Sequence, residues 1–564
     1  MSKESADKKV GLDRSFGGLV RTDLQSGIPV ETFYSPRDVA HLEYEQDSGD
    51  PGEYPYTRGI YPRMYRDRLW IKSFIVSYAT AEETNQAFKD NIASGQTGLR
   101  CLADLPTQSG IDPDHPSAWN AMMCGGVSTY ALSVYERMLE GLPLEDVDYE
   151  LAHSSISSAL MFYGMFPALM ENQGLDIARL RGANINDPFR ARLVYNTPEW
   201  PNEINRRICL DLVEFSARHT PKWKAIAPNG VDPQQTGANV IEELAGCLGV
   251  ATAVYGELIE KRGVSLDDIG ATVFSLDAES DFFETIAKFR AARRMWARIA
   301  KEKLGARTPR AMSLRIGIRT SGMSLTTQKP LNNAARVTLQ ILSCVLGGVN
   351  SLDASSIDEA IGLPSLEART FNLDAQHIVT HEANVPMVAD PLGGSYYLEW
   401  LTDHIEKGVN DYLAEIEAHG GMWNCLESGW LRKNIEASRM KAQLEKRDRK
   451  RIIVGVNAFE GEGGLINNAI SDTAYKVPTE EDRRRNVCAL QELKQRREPR
   501  KVKDTLTELF RAVKEGRNVV RPTIEAVKAY ATIGEVVGVV RLGYGLNYDP
   551  FDAVDRPAFL DELR

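Results

Sequence analysis

Residues 313–333 read SLRIGIRTSGMSLTTQKPLNN and decide the predicted fold. From position 314 to 319, Leu and Ile alternate with Arg and Gly, which is the period of a β-strand. A polar loop rich in Thr, Ser and Gly follows, and a new helix is expected to begin near Leu331. A parallel strand whose carboxyl end carries a polar loop is the repeating unit of a (β/α)8 barrel, which keeps its active site at that end.

The same strand, loop and helix pattern recurs on both sides of this stretch. Strands are predicted over 98–105, 122–128, 149–154, 179–186, 223–229, 269–276, 312–318 and 349–354. Helical periodicity lies between them, over 81–93, 157–172, 202–218, 237–262 and 280–303. Eight strands with helical crossovers predict a parallel sheet closed into a (β/α)8 TIM barrel. Most of these strands end in small or polar residues, which predicts a functional rim; the alternative is that they are helix N-caps.

Two flanking regions complete the predicted domain organisation. Residues 1–60 show no sustained period, so we expect an extended N-terminal arm that packs either along a partner subunit or around its own barrel. Residues 61–410 are assigned to the substrate-binding barrel. Residues 411–564 show mainly helical periodicity and are predicted to form a C-terminal helical and linker region.

The composition is that of a soluble globular protein. The 564 residues are 43% hydrophobic and 26% charged, and the chain is long enough for a large core. A net charge of -11 argues against nucleic acid as the main partner, and no apolar run is long enough for a membrane span. The amino-terminal stretch lacks the apolar segment of a signal peptide, and the 7 dispersed cysteines suit reduced thiols. We therefore expect a cytoplasmic protein.

The common catalytic motifs are missing from the sequence. There is no Walker A loop and no G-x-S-x-G elbow, and the glycines of 461–464 lack the strand–helix context of a dinucleotide site. His377 and His381 lie four residues apart, but they lack the Glu of H-E-x-x-H and an evident third ligand, so no metal site is predicted. The residues alone predict a barrel enzyme whose chemistry stays open.

Stretches distributed between residues 57 and 457 resemble the methylmalonyl-CoA mutase family. They are TRG at 57–59 with Tyr61, Met64, Tyr65, Arg68 and Trp70, GQTG at 95–98, DLPT at 104–107, PKW at 221–223, FRAARRMW at 289–296, SGMSLTTQ at 321–328, DEA at 358–360 and DPLGGS at 390–395. The resemblance implies an isomerase that uses adenosylcobalamin to rearrange the carbon skeleton of an acyl-CoA by radical chemistry. It also implies that the acyl-CoA threads the barrel.

The resemblance further implies a second polypeptide. Members of the family bind cobalamin through a module that carries Asp-x-His-x-x-Gly, whereas this sequence lacks that motif and has His419 as its last histidine. The chain therefore resembles the large subunit of a split mutase, with a small cobalamin-binding subunit as its partner in a heterodimer or heterotetramer. The helical region beyond residue 460 is expected to reach that subunit.

The family's functional positions carry over to named residues of this sequence. Those expected to face the cofactor are Asp104, Leu105, Glu359 and Ala360. Those expected to bind the substrate are Tyr61, Met64, Arg68, Leu102, Gln328 and Ser321. Those expected at the reacting end are Asp232, Tyr195 and Ile75. For Glu359 the alternative is a carboxylate favoured by the amino terminus of a helix.

Departures from the family bear on the substrate. Methylmalonyl-CoA mutases hold the substrate carboxylate with an Arg at the place of Tyr195, so a substrate with a free carboxylate is not expected. Ile75 replaces a Tyr, as it does in the 2-hydroxyisobutyryl-CoA branch, although Leu102 replaces an Asp of that branch. A family His that contacts the thioester carbonyl falls at Asp232, whose ionised carboxylate suits a hydroxyl group or an amine. The alternative is that Asp232 is a cap or salt-bridge residue.

The predicted contacts to coenzyme A also differ from those of the family. Ser73 and Thr272 replace Arg residues, and Arg63 and Arg100 are nearby candidates to restore phosphate contacts, unless the carrier itself is different. A branched acyl-CoA such as isobutyryl-CoA, a hydroxyacyl-CoA such as 2-hydroxyisobutyryl-CoA, and a dicarboxylyl-CoA remain alternative substrates. Outside the class, the alternatives are a non-catalytic barrel that binds a partner and a metal-dependent barrel hydrolase.

Overall fold

The computed structural model describes residues 21–76, 78–145, 147–151, 156–190, 193, 200–362, 364–461 and 478–563. Parallel strands run through the described part of the chain. They are β1 (Ile71–Ser73), β2 (Ile75–Val76), β3 (Gly98–Cys101), β4 (Asp148–Leu151), β5 (Gly182–Asn184), β6 (Trp223–Lys224), β7 (Thr272–Ala278), β8 (Leu314–Thr320) and β9 (Ser351–Asp353).

These strands close into a barrel. One sheet has the order β1-β9-β8-β7 and the other has the order β2-β3-β4-β5-β6. Only Phe74 separates β1 from β2, so the two are consecutive parts of one strand that joins both sheets. On the far side, Asn229 bridges to Ser275, and Gly230 N donates to Ser275 O at 2.8 Å, which links the chain after β6 to β7. The order therefore closes as eight strands, and the predicted (β/α)8 barrel is confirmed.

Helices surround the barrel. Those up to residue 377 are α1 (Ala81–Ala93), α2 (Leu105–Ser109), α3 (Leu132–Met138), α4 (Ile156–Asn172), α5 (Asn202–His219), α6 (Val231–Thr236), α7 (Val240–Arg262), α8 (Leu266–Ile269), α9 (Phe282–Arg298), α10 (Pro309–Met312), α11 (Asn332–Leu346) and α12 (Leu366–His377). The later ones are α13 (Tyr396–Ala418), α14 (Gly421–Glu427), α15 (Trp430–Arg447), α16 (Glu480–Arg496), α17 (Pro499–Lys514), α18 (Val520–Lys528) and α19 (Ile533–Gly543). No helix in the described ranges combines the length and the apolar character that a membrane crossing requires.

One of the predicted strands is wrong. Residues 122–128 form turns, with a single bridge between Val127 and Ala103. Met123 has a φ of 61°, in the left-handed region, and Gly125 has a φ of 73°. An extended strand cannot continue through two such positions. Met122 and Met123 pack instead with Ala79 in a small separate cluster, whereas Val127 joins the main core.

The continuous strand β1–β2 is not among the strands predicted from the sequence. Lys72 and Ser73 interrupt its apolar pattern, because both are polar and they point in opposite directions. Lys72 faces outward, where its Nζ lies 2.9 Å from His377 Nδ1. Ser73 faces the axis of the barrel. A strand with one polar side chain on each face shows no clear period of two.

The described part of the N-terminal arm packs around its own barrel. Arg293 of α9 donates to Tyr56 O at 3.1 Å and to Thr57 O at 3.0 Å. Arg298 of the same helix pairs with Asp47 at 2.7 Å. Backbone carbonyls and a carboxylate of the arm therefore take up guanidinium donors of α9, which favours the second of the two predicted packings.

A buried ion-pair network joins this arm to the outer helices. Arg290 of α9 has no exposed side-chain surface, and it pairs with Asp390 and, at 2.6 Å, with Glu399 of α13. Arg58 of the arm pairs with the same Asp390 at 3.0 Å. Buried charges of this kind are stable only when they are matched, so each partner depends on the others.

The C-terminal helices cover α4. Helix α18 packs along α4, and Ile524 and Val527 of α18 are fully buried. At the edge of this contact Lys528 pairs with Glu171 at 2.9 Å, and Arg521 pairs with the same carboxylate. The contact is therefore an apolar interface with an ionic border.

Candidate functional site

A basin of about 500 Å³ opens at the amino-terminal end of the barrel. Its wall carries six basic side chains, which are Arg68, Arg181, Lys222, Lys224, Arg310 and Arg315. The wall also contains the carboxylate of Asp148, which pairs with Arg181 at 2.8 Å. The excess of positive charge in a concave site fits a ligand that carries several phosphate groups.

Lys224 lies where this basin narrows. Its Nζ donates to Ile269 O at 2.7 Å and to Pro221 O at 3.4 Å. Burial, together with the charges of Arg310 and Arg315, lowers the pKa of Lys224 to about 7. An amine in this state regains its proton when an anion binds beside it, because the opposite charge stabilises the ammonium form.

A narrow channel of about 60 Å³ continues from the basin along the barrel axis. Asp148, Lys224 and Arg315 line both spaces, so the two are continuous. Further along, the channel wall contains apolar residues such as Leu99, Tyr149 and Phe274. Many of its other residues are small, and these are Ser73, Gly98, Gly182, Ala183, Ala227, Ser275, Gly317 and Ser351. Bulky branched side chains usually fill the interior of such a barrel. The small residues instead leave axial space for a thin, extended ligand.

An ionic group that we call the inner cluster lies toward the carboxyl ends of the strands. It consists of Arg100, Asp353, Arg319 and Glu359. Arg100 Nη1 donates to Asp353 Oδ2 at 3.0 Å, and Arg319 Nη1 lies 3.8 Å from the same oxygen. Arg319 Nη2 donates to Glu359 Oε1 at 2.6 Å. The second oxygen of Asp353 accepts the backbone N–H of Ile75 at 3.1 Å, so this predicted residue borders the cluster.

Asp232 lies beside the inner cluster, in the first turn of α6. Its carboxylate accepts a hydrogen bond from Arg190 Nε, and its backbone N–H donates to Asn229 Oδ1 at 2.9 Å. Burial opposes the charge of Arg319, but the carboxylates of Glu359, Asp353 and Asp232 outweigh burial and raise the pKa of this guanidinium. Asp232 thus forms a salt bridge, as one of the two predictions for this residue states. It also lies near the barrel interior, as the other prediction, a contact with the substrate, requires.

The predicted substrate-binding residues are distributed over several places. Tyr61 and Arg68 line the basin. Met64 is buried and lines a separate small cavity on the side of the barrel. Leu102 is half-buried and follows β3, two residues beyond Arg100 of the inner cluster. Tyr195 lies outside the described residues.

Ser321 and Gln328 lie in the loop after β8. Ser321 is fully buried, and its Oγ donates to Glu279 Oε1 at 3.4 Å. Gln328 is exposed, and its Oε1 accepts a hydrogen bond from Thr327 Oγ1 at 3.2 Å. The loop therefore presents Gln328 to solvent at the predicted functional rim, whereas Ser321 anchors its start.

The residues predicted to face the cofactor also lie on loops at this rim. Asp104 caps α2 and accepts the backbone N–H groups of Thr107 at 3.0 Å and Met123 at 2.7 Å, while burial raises its pKa to about 6. Leu105, the first residue of α2, is 53% exposed. Asp104 thus holds the loop that presents Leu105.

Glu359 and Ala360 lie in a turn between β9 and α12. Helix α12 begins at Leu366, so the alternative that placed Glu359 at a helix terminus is wrong. Its carboxylate is committed to Arg319 of the inner cluster. Ala360 is partly buried against the core of the barrel.

The two basic residues predicted to restore phosphate contacts do not line the basin. Arg63 pairs with Asp67 and has 69% of its side chain exposed, and Arg100 belongs to the inner cluster rather than to the basin. Lys224 and Arg315 were overlooked, although a signal for Arg315 was present. Leu314, Ile316 and Ile318 of β8 belong to the buried core, so the alternating pattern places Arg315 and Gly317 on the other face of the strand, where they line the channel.

A (β/α)8 barrel with a cationic entrance and an open axial channel defines the class of this protein. The chain belongs to the methylmalonyl-CoA mutase family, whose profile, described as methylmalonyl-CoA mutase, matches residues 23–546. The members are cobalamin-dependent mutases, which are isomerases. The family predicted from the sequence motifs is therefore confirmed.

Relatives with assigned activities cover most of the chain. The 2-hydroxyisobutanoyl-CoA mutase large subunit of Aquincola tertiaricarbonis is 36% identical over 515 residues, which cover 90% of this chain and 89% of the relative. The mitochondrial methylmalonyl-CoA mutase of Homo sapiens is 31% identical over 523 residues, or 92% of this chain and 68% of the relative. The methylmalonyl-CoA mutase of Cereibacter sphaeroides is 32% identical over 513 residues, or 90% and 70%.

Proposed function

We propose that this chain is the large, substrate-binding subunit of an adenosylcobalamin-dependent acyl-CoA mutase. Its substrate would be a short branched or hydroxylated acyl-CoA without a free carboxylate, whose carbon skeleton is rearranged by a radical reaction. The observation that carries the proposal is the cationic basin together with the channel that continues from it along the barrel axis, toward the end of the strands at which the inner cluster lies. The basin suits the phosphates of coenzyme A, and the channel suits its thin pantetheine arm.

The charges at the reacting end support a substrate without a carboxylate. Arg100 and Arg319 of the inner cluster face Asp353 and Glu359, and Arg190 pairs with Asp232. Each guanidinium therefore already has a carboxylate partner within the chain. A further carboxylate would add an unmatched negative charge to a buried site. Burying such a charge costs on the order of several kcal/mol.

The side chains at this end have distinct roles in the proposed reaction. Ile75 gives the acyl group an apolar wall, and Asp232, as a hydrogen-bond acceptor, would orient a hydroxyl group on it. Tyr195, outside the described residues, is expected to complete the reacting end. The closed barrel wall excludes water from the acyl group.

The rim fits a large, partly apolar cofactor that is presented by another subunit. Leu105 and Met323, on the loops after β3 and β8, are 53% and 57% exposed. Exposed apolar side chains on a functional rim favour contact with a macrocycle. Leu105 and Ala360 would contact its face, with Asp104 holding the first loop and Glu359 lying beside Arg319. Adenosylcobalamin supplies the radical chemistry when it is bound.

The same proposal includes the partner and the cellular location. A small cobalamin-binding subunit would join this chain in a heterodimer or heterotetramer, with residues 411–564 as the region that faces it. The large-subunit relative supports this arrangement. All 7 cysteines are free and five of them are buried, which supports a reducing, cytoplasmic location.

The test is an isomerisation assay with the complete system. This chain, its candidate small subunit and adenosylcobalamin are mixed with isobutyryl-, 2-hydroxyisobutyryl-, pivalyl-, methylmalonyl- or ethylmalonyl-CoA, and the products are separated by mass-resolved chromatography. Turnover of one ester without a carboxylate is the expected result. Turnover of methylmalonyl-CoA would contradict the charge argument, and an assembled complex that converts no ester would contradict the activity.

A further inference from the structure

Arg319 of β8 retains hydrogen-bonding capacity inside the barrel. Its Nη2 donates to Glu359 Oε1 at 2.6 Å, whereas its Nη1 lies 3.8 Å from Asp353 Oδ2, which is beyond hydrogen-bond distance. A guanidinium has five N–H donors. Within the described ranges, the bond to Glu359 is the only one that its side chain makes. The side chain is 18% exposed, so donors remain for a ligand.

The remaining donors face the axis. Arg315 and Gly317, four and two residues earlier on β8, line the channel, which Ile316 also borders, and the side chains of Ile316 and Ile318 belong to the buried core. Side chains alternate along a strand, so Arg319 lies on the side of Gly317. It is also the register partner of Asp353 on β9. Arg319 therefore lies on the channel face of β8, two residues beyond Gly317 toward the carboxyl end of the barrel.

The surroundings of Arg319 select the chemistry of a ligand. The carboxylates of Glu359, Asp353 and Asp232 act on this guanidinium and oppose a further anion beside it. Asp232 accepts a hydrogen bond from Arg190, and an ionised carboxylate cannot donate one to a carbonyl group. The ligand atom that fits is a neutral acceptor. The carbonyl oxygen of a thioester is such an acceptor, and every acyl-CoA carries it next to the acyl carbons.

We propose that Arg319 donates a hydrogen bond to the carbonyl oxygen of the substrate thioester and so fixes the acyl group at the reacting end. The inference rests on the proposed function, because it requires an acyl-CoA in the channel. A positioned guanidinium also polarises the carbonyl bond, which gives the contact a spectroscopic signature.

The first test compares two ligands by calorimetry, without cofactor or partner. One is isobutyryl-CoA, and the other is the thioether analogue in which a CH2 group replaces the carbonyl group. The wild-type chain should bind the thioester about tenfold or more tightly than the thioether, as expected for a hydrogen bond to a charged group. Arg319→Met should bring this ratio close to one, and Arg319→Lys should keep part of it. Arg315→Met in the basin is the matched control, because it should weaken both ligands alike.

The second test measures the infrared carbonyl band of isobutyryl-CoA labelled with 13C at the thioester carbon. Binding to the wild-type chain should lower the frequency of this band, and Arg319→Met should abolish the shift while near-ultraviolet circular dichroism confirms a native fold. If Arg319→Met keeps the wild-type ratio of thioester to thioether affinity and the wild-type shift of the carbonyl band, the proposed role of Arg319 is wrong. If the variant does not fold, the role is also wrong when binding to the wild-type chain leaves the carbonyl band unshifted. If the wild-type chain binds neither ligand, the proposed function itself fails.

Discussion

Changing the protonation of Lys224 should change the affinity of the basin for coenzyme A. The pKa of this lysine in the free protein is about 7, because burial and the charges of Arg310 and Arg315 disfavour the ammonium form. A phosphate group in the basin acts in the opposite direction and should bring the pKa back toward the ordinary lysine value of about 10.4. Binding therefore takes up a proton, and affinity should be highest below pH 7 and fall as the pH rises above it.

The size of this effect follows from the two pKa values. At pH 8, Lys224 is charged in about one tenth of the free protein and in nearly all of the complex. About 0.9 proton is therefore taken up for each ligand that binds. The same linkage weakens binding about fivefold between pH 7 and pH 8 and about fiftyfold between pH 7 and pH 9.

The assay is titration calorimetry at pH 8 in two buffers with different heats of ionisation. The difference between the two binding enthalpies gives the number of protons taken up. Lys224→Met should remove the uptake and most of the pH dependence, whereas Lys222→Met should weaken binding and keep the uptake. Tight binding by the wild-type chain with no proton uptake at pH 8 would refute this reasoning about Lys224.

Three further variants address the reacting end, the channel and the fold. Asp232→Asn should reduce turnover of 2-hydroxyisobutyryl-CoA about tenfold or more and leave isobutyryl-CoA nearly unchanged, and an unaltered hydroxyacyl rate would remove Asp232 from substrate binding. Ser351→Leu fills the channel, so calorimetry should show loss of acyl-CoA binding with retention of pyrophosphate in the basin; equal loss of both would instead indicate a general structural change. Arg290→Met removes the buried guanidinium that Asp390 and Glu399 share, and it should lower the free energy of unfolding in urea by about 3–5 kcal/mol. Arg500→Met, at a side chain that is 89% exposed, should have no measurable effect.

Local sequence patterns were sufficient for most of the elements around the barrel. The predicted helix 81–93 is α1 residue for residue, and its start is fixed by the capping box that Thr80 and Glu83 form. The predicted helix 202–218 differs from α5 by one residue. The predicted number of strands, eight, was right, but one predicted strand was wrong and one real strand was missed. The apolar run of 122–128 lacks extended geometry. The strand β1–β2 was missed because it carries polar side chains on both faces.

The reacting end could not be assembled from the sequence. Arg100 and Asp353 are 253 positions apart in the sequence. They meet because their strands, β3 and β9, flank the continuous strand β1–β2 on its two sides. Arg190 and Asp232 meet because the loops after β5 and β6 turn toward the same interior. Such pairs depend on strand register and on loop direction, which no local pattern encodes. The family motifs nevertheless identified Asp232 as a distinctive residue, although not its partner.

The small side chains along the axis have a consequence for how much of this protein a cell contains. They leave part of the axis unfilled where bulky side chains normally stabilise such a barrel, so a bound ligand supplies packing that the empty channel lacks. A ligand at 100 times its Kd adds about 2.7 kcal/mol to the free energy of unfolding. Since changes of about 1–2 kcal/mol alter cellular abundance several-fold through proteolysis, the lifetime of the chain should follow the supply of its substrate. A pulse-chase comparison of cells with and without that substrate measures this, and equal lifetimes would show that the empty barrel is stable by itself.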